Sequence, residues 1–239
     1  MIDSVLDDLI QSHFVISMAD VYTAIPCVVL NVHGDFSQQR VDVRPAINDK
    51  YKDGTSREHA PILSVPVILP GTRNSLISFP VNVGDTVMCI FSQRSMDNFK
   101  IGNGQPGEPN DFRKHSDQDA VAIPGLAPFS RSVNSPAVRK YQHAPNQDLV
   151  IAHNIGSGTE TMIQLKLDGQ IIINTDEAVT VNAKSVNVNA QSGAFDIDSS
   201  TWNGDMDITG SWTFNGIPFN THKHIGVVPG SGTSGTPTA

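Results

Sequence analysis

Cysteine, tryptophan, tyrosine and charged side chains are all scarce in this sequence. Two cysteines among 239 residues are too few for a disulfide framework. Cys27 and Cys89 both stand in apolar runs, which predicts buried, reduced thiols. Charged residues make up only 17% of the chain, against about 25% in an average domain. This low fraction argues against a coiled coil or a long solvated helix.

Basic charge and long apolar runs are also lacking. The net charge of −8 argues against binding to nucleic acid or to an anionic membrane surface. No apolar run approaches the ~20 residues of a membrane-spanning helix. The N-terminus has no basic segment followed by an apolar one, so no signal peptide is expected.

Motifs for catalysis are missing as well. The sequence contains no G-x-S-x-G elbow, no P-loop and no G-x-G-x-x-G turn. The acidic pairs Asp196/Asp198 and Asp205/Asp207 alternate with apolar residues, which is typical of the solvent face of a strand. We therefore expect no enzyme activity and no catalytic residues.

The first half of the chain is predicted to form a short helix and a small β-domain. Apolar residues at helical spacing over 2–10 predict a short amphipathic helix within an N-terminal arm, 1–20. Residues 21–105 are predicted to form a small barrel or sandwich, because short β-type runs alternate with turn sequences. The predicted strands are Ala24–Val32, Arg40–Arg44, Ile62–Leu69 and Asp85–Ser92.

The second half of the chain changes character twice. Residues 106–148 are rich in glycine, proline and polar residues, which predicts an irregular connector. Over 149–220, apolar residues recur at a spacing of two with threonine, asparagine, aspartate or lysine between them. This alternation predicts very short, half-buried strands in a quasi-repetitive β-solenoid. The whole chain is therefore predicted to be all-β.

One copy of this alternating segment cannot enclose a core of its own. About 60 residues with a single thin apolar face bury too little surface to be stable alone. Several chains that share one axial core would bury that face and close the open strand edges. The sequence therefore predicts an oligomer, and we favour a homotrimer.

A pair of histidines follows the last predicted strand, within the tip segment 221–239. In an extended chain His222 and His224 point the same way. Around a threefold axis, three copies of this pair present six imidazole nitrogens. Six nitrogen donors favour octahedral Fe(II), Ni(II) or Co(II) over tetrahedral Zn(II). The spacing therefore identifies His222 and His224 as candidate metal ligands.

Two stretches of sequence resemble a known family. Residues 79–97 read FPVNVGDTVMCIFSQRSMD and residues 115–126 read HSDQDAVAIPGL. They are similar to the barrel and connector of the central membrane-piercing spikes of contractile-tailed bacteriophages, the relatives of baseplate assembly protein V. The alternating segment and the His-x-His pair resemble the needle and the metal-bearing tip of these spikes.

The resemblance implies several properties that the residues alone do not give. It implies an N-terminal OB-fold, a homotrimer and a C-terminal triple-stranded β-helix. It implies one iron ion on the threefold axis, held by His222 and His224 of three chains. It also implies a place in the virion, at the tip of the tail baseplate, with contacts to hub and tail-tube proteins and a transient passage through the host outer membrane. Residues 106–148 are too few for the lysozyme domain of some larger relatives.

Two other functions remain open at this point. A trimeric β-helical polysaccharide depolymerase would need a wide groove lined by carboxylates. An OB-type oligonucleotide binder would need aromatic and basic residues together on the barrel, and the acidic chain argues against it. A spike would be elongated and trimeric, whereas the alternatives would have a cleft or a basic face.

Overall fold

The computed structural model describes residues 2–19, 21–218 and 230. Within these residues the α-helices are α1 (Ile2–Ala19) and α2 (Asp97–Ile101). The strands, in chain order, are β1 (Ala24–Val32), β2 (Arg40–Pro45), β3 (Asp49–Lys50), β4 (Ser56–Arg57), β5 (Ile62–Pro66), β6 (Thr86–Phe91), β7 (Ala120–Pro124), β8 (Leu149–His153), β9 (Thr161–Leu165), β10 (Ile171–Asn174), β11 (Thr213–Phe214) and β12 (Ile217–Pro218). The described chain is therefore mostly β, as predicted.

Helix α1 is about twice as long as the helix predicted over residues 2–10. It continues to Ala19, through a second half in which apolar residues lie on several sides of the helix. The apolar side chains described along it, from Leu6 to Met18, are each more than half exposed. No described helix has both the length and the apolar character to cross a membrane.

The largest sheet has five strands in the order β5-β2-β1-β6-β7, all paired antiparallel. It curls so far that its two edges meet. Val67, just after β5, forms a parallel bridge with Ala122 of β7. The N–H of Ile68 donates a hydrogen bond to the Ala122 carbonyl at 2.9 Å. The result is a curled half-barrel whose two edges meet at this bridge.

The inner face of this sheet is the hydrophobic core. Alternate residues of each strand point inward, and most are small: valine, alanine and cysteine. The buried cluster contains Cys27, Val29, Val41, Val43, Ile62, Val65, Val67, Leu69, Val81, Val87, Cys89, Ala120 and Ala122. Small side chains fit the narrow interior that a curled five-stranded sheet encloses. The predicted burial of both cysteines as free thiols is confirmed.

Two irregularities bend the sheet around Asp42. The pairing register shifts between Val29 and Asn31 in β1, and again where β2 meets β5. At the second shift Ser64 adopts a φ of 56°, which is uncommon for a residue with a side chain. Asp42 stabilises both places, because its carboxylate accepts hydrogen bonds from the Ser64 N–H at 2.8 Å and the Asn31 amide at 3.1 Å.

Strand β7 lies inside the segment that was expected to be an irregular connector, 106–148. It pairs with β6 from Ala120 opposite Phe91 to Pro124 opposite Val87. Polar contacts fix its start: the fully buried Asp119 accepts hydrogen bonds from the Met96 N–H at 2.8 Å and from Arg113 Nε at 2.7 Å. The β-domain therefore extends about twenty residues beyond the expected boundary at 105.

A second sheet follows, formed by β8, β9 and β10. The strands pair antiparallel in the order β10-β9-β8. Over residues 175–212, where alternation predicted further strands, the single chain forms none. A two-residue turn at Asn215 and Gly216 then joins β11 to β12, with φ of 48° and 79° as a type I′ hairpin requires. The chain divides into two compact units between residues 180 and 181.

Candidate functional site: an exposed aliphatic face

The most distinctive surface of the first unit is one face of the β8–β10 sheet. Antiparallel register brings the side chains into two rows of three across the strands, one row opposite Leu165 and one opposite Ile163. Cross-strand neighbours point to the same side of a sheet. We call this surface the aliphatic face; it consists of Leu149, Ile151, Ile163, Leu165, Ile171 and Ile173.

Every member of the aliphatic face is exposed in the single chain. The exposed fractions run from 40% at Ile163 and Leu165 to 66% at Ile171. A charge-free patch of six large aliphatic side chains is unusual on a monomer and indicates an interaction surface. The two outer edges of the sheet, along β8 and β10, also have no strand partner among the described residues. Unpaired edges of this kind are the usual template for pairing with another chain.

The opposite face of the same sheet is fixed to the chain before it. Met162 and Gln164, which alternate with the exposed residues of β9, are buried. Gln164 donates a hydrogen bond to Asp148 Oδ2 at 2.7 Å, and the Ala144 N–H donates to the same oxygen at 2.7 Å. The sheet is thus held from behind, which leaves the aliphatic face turned outward.

A buried ion pair adds to this support. Arg139 Nε donates a hydrogen bond to Glu160 Oε1 at 2.8 Å, and both side chains are almost fully buried. The N–H groups of Lys140 and Gly156 each donate to Glu160 Oε2 at 2.9 Å. Burial opposes ionisation of Glu160, but these hydrogen bonds outweigh it, so the pKa of Glu160 lies below its ordinary value.

A third polar contact fixes the chain where it leaves β10. Tyr141 donates its hydroxyl proton to Asp176 Oδ1 at 2.7 Å, and Lys140 forms an ion pair with Oδ2 of the same carboxylate. The lysine and the tyrosine together lower the pKa of Asp176. Over 134–148 the chain is irregular, as expected, with one short 3-10 turn at Pro136–Val138. Its polar contacts hold the sheet that carries the aliphatic face.

The second unit carries the same type of alternation, but its described strands are only the two-residue β11 and β12. Its large apolar side chains are exposed in the single chain: Val181, Val186, Val188, Phe195, Ile197, Trp202, Met206, Ile208, Trp212, Phe214 and Ile217. The exposed fraction reaches 80% at Val188 and 91% at Phe195. One chain therefore leaves uncovered the residues that the sequence predicted to be buried.

The candidate metal ligands His222 and His224 lie outside the described residues. Within the described part of the chain, no group of three or more histidine, cysteine, aspartate or glutamate side chains could hold a metal ion. The acidic residues Asp196, Asp198, Asp205 and Asp207 are exposed and lie outside the described strands and helices.

Comparison with known proteins bears on the first unit. Residues 25–125 match the family model of the phage protein Gp138 N-terminal domain. A search of curated proteins gave no match. The matched range begins in β1 and ends just after β7, so it coincides with the curled five-stranded sheet. Residues 25–125 are thus similar to a phage protein domain, which indicates a structural role in the virion.

The same match supports the resemblance to a spike-like protein of the phage baseplate. It covers less than half of the chain and leaves the β8–β10 sheet and the second unit outside. Sequence reasoning missed the residues that position the aliphatic face, Arg139, Asp148 and Glu160. A lone charge in a polar loop has no periodic signal, so only the chain path could bring these residues together.

Proposed function

We propose that the protein is the central spike of a contractile phage tail, and that it pierces the host outer membrane mechanically when the sheath contracts. The proposal rests on one observation: a region similar to a phage protein domain and a long run of exposed, alternating apolar residues occur in the same chain. The similarity supports a role in the virion. The apolar run needs partner chains to bury it, and an axial bundle of such chains would be a stiff rod.

In this proposal the curled five-stranded sheet is an OB-type barrel. The strand order β5-β2-β1-β6-β7, with Val67 bridging back to Ala122, fits a small, partly open barrel of five strands. Its function is attachment: it joins the spike to hub and tail-tube proteins at the tip of the baseplate. The acidic composition of the whole chain argues against a role in binding nucleic acid.

The alternating part of the chain becomes a needle in a homotrimer. Three copies wound as a triple-stranded β-helix would turn Val181, Val188 and Ile197 toward the axis and would supply the missing strand partners. Threonine, asparagine and aspartate would then form the outside of the rod. Such a polar exterior suits passage through a membrane under force and does not suit a rod that stays embedded in lipid.

The tip of the needle would carry one iron ion per trimer, held by His222 and His224. Two imidazoles from each of three chains supply the six nitrogen donors of an octahedral site. With no open coordination position, the ion would bind the three chain ends together. The proposed role includes no catalytic step.

The test is a phage assembled with a spike that ends after Asp176. This truncation keeps the barrel, the β8–β10 sheet and the contacts of Asp176 with Lys140 and Tyr141. Such particles should attach and contract like particles with the full spike, yet should fail to breach the outer membrane. Infection at full efficiency would contradict the proposal. Degradation of a cell-surface polysaccharide by the isolated protein would favour the trimeric depolymerase instead.

A further inference from the structure

We infer that copies of this chain first associate through the aliphatic face, and not through residues 181–212, which follow it. The inference rests on the proposed trimer and specifies which part of the chain brings it together. The partner is a second and a third copy of the same face, arranged around a threefold axis.

The aliphatic face is already formed in the single chain, before association. Its three strands are hydrogen-bonded within one chain, and Glu160 and Asp148 fix the sheet from behind. A surface that is already ordered loses little conformational entropy on binding. Residues 181–212 form no strand in the single chain, so strands there would have to form during assembly. The aliphatic face should therefore associate first, and residues 181–212 should follow.

The sheet also has two edges without a strand partner among the described residues. A bound peptide could pair with the edge of β8 or of β10 and would leave the other edge open. In a closed ring of copies, β10 of one chain can approach β8 of the next, and no edge remains. Three sheets would then form the walls of a prism with the aliphatic face inside.

The composition of the aliphatic face also favours association between copies. The aliphatic face has no charged or polar member, so copies of it can meet without repulsion and without burying an unpaired polar group. The apolar surface extends to Ile77 and Phe79, which share with Ile151 and Ile163 the lining of a cleft of about 800 Å³. Charged residues are depleted at the centre of protein interfaces in general, and this surface fits that composition.

The experiment compares variants of the full chain by sedimentation and by tryptophan fluorescence. The only tryptophans, Trp202 and Trp212, lie in the second unit. Their emission therefore reports on the needle, while sedimentation reports the mass of the assembly. The wild type should sediment at three times 25.7 kDa with shielded tryptophans.

The decisive variant replaces one row of the aliphatic face, Ile151→Thr, Ile163→Thr and Ile173→Thr. Threonine is β-branched and favours strands, so the sheet should persist while its apolar character is lost. We expect association at least a hundredfold weaker and exposed tryptophans. The matched control is the double variant Ile47→Thr, Ile101→Thr, which changes exposed isoleucines outside the sheet and should behave like the wild type.

The second variant, Val188→Asp, places a charge within residues 181–212. We expect it to remain trimeric with exposed tryptophans. If the threonine row variant stays as trimeric as the wild type, the aliphatic face is not the interface. If Val188→Asp is monomeric, association depends on residues 181–212 and the inference is overturned. A monomeric wild type would overturn the proposed trimer itself, which distinguishes the two failures.

Discussion

Glu160 shows how single polar residues stabilise this fold from beneath a sheet. It is almost completely buried, and both carboxylate oxygens are occupied by Arg139 and by two backbone N–H groups. A buried ion pair of this kind adds little over a well-packed apolar pair, but loss of one partner leaves an unpaired buried charge.

Substitution of Glu160 by glutamine should therefore destabilise the first unit strongly. We expect a loss of about 3–5 kcal/mol, because Arg139 would keep a buried charge without a counterion. The measurement is the urea midpoint at fixed protein concentration, after incubation long enough for the unfolding and refolding curves to coincide. Asp168→Asn is the control: its 3.5 Å pair with Lys166 is exposed, and exposed pairs contribute about 0–1 kcal/mol. Equal midpoints for the two variants would show that the buried pair contributes no more to stability than the exposed pair.

Asp119 makes the stability of the β-domain depend on pH. Burial opposes its ionisation, but hydrogen bonds from Arg113 and the Met96 N–H outweigh this and lower the pKa of Asp119. A carboxyl with a depressed folded-state pKa stabilises the fold above its unfolded pKa, about 3.9. That contribution is lost as the pH falls through the folded-state pKa.

We therefore expect Asp119→Asn to have a lower free energy of unfolding than the wild type at pH 7. The difference in free energy between the two should narrow below about pH 4. Urea unfolding at several pH values measures this difference. Arg113→Gln should show the same narrowing, because it removes the main partner of the Asp119 carboxylate. A difference that stays constant down to pH 2.5 would contradict the assignment of the pH dependence to Asp119.

At the scale of elements, β7 decides where the β-domain ends. Its inward residues Ala120 and Ala122 are completely buried, and Ala122 joins the two edges of the curled sheet. A fragment of residues 21–105 lacks this strand and Asp119, whereas a fragment of residues 21–128 keeps both.

We expect the longer fragment to fold and the shorter one to remain unfolded. Without β7 one edge of β6 stays open and the core loses two of its inward positions. Circular dichroism and amide dispersion in a two-dimensional NMR spectrum distinguish the two states. A cooperative unfolding transition in the 21–105 fragment would show that β7 is dispensable.

The elements also show how much the sequence could predict. The strands β1, β2, β5 and β6 were predicted close to their observed limits, because their alternation is bounded by turn sequences. Strand β7 was missed because AVAIP is short, has alanines at its inward positions and lies between glycine- and proline-rich loops. Its pairing with β6 is a long-range contact that no local pattern reveals.

The alternation over 149–220 had two outcomes. At β8, β9 and β10 the chain supplies its own partners, and strands form. From 175 to 212 the period is the same, yet the single chain has no strand there. Alternation predicts which residues share a face, but it does not say which chain pairs with them. The candidate ligands His222 and His224 lie outside the described residues, so their metal site remains a prediction.

At the scale of the whole molecule, the uncovered apolar surface links the fold to the proposed assembly. The first unit has a closed core and an aliphatic face; the second has exposed apolar residues and no described core cluster. Burial of those residues in a trimer would join three chains along their length. Unfolding would then require the chains to separate, so we expect it to be slow and governed by kinetics.

The tip of that assembly is expected to hold a metal ion. Purified protein should contain one transition metal ion per three chains, with iron favoured, because three copies of His222 and His224 offer six imidazole donors. Elemental analysis should find no metal in the His222→Ala, His224→Ala double variant. The control is His59→Ala, His153→Ala, which removes two histidines of the first unit and should retain the metal.

Acid should release the ion, because only neutral imidazole binds it. The metal-free variant should remain trimeric, since the aliphatic face is unchanged, but its chain ends should be cleaved sooner by protease. Equal metal content in the double variant and the control would exclude His222 and His224 as the ligands, and a ratio of one ion per chain would exclude a shared site on the threefold axis.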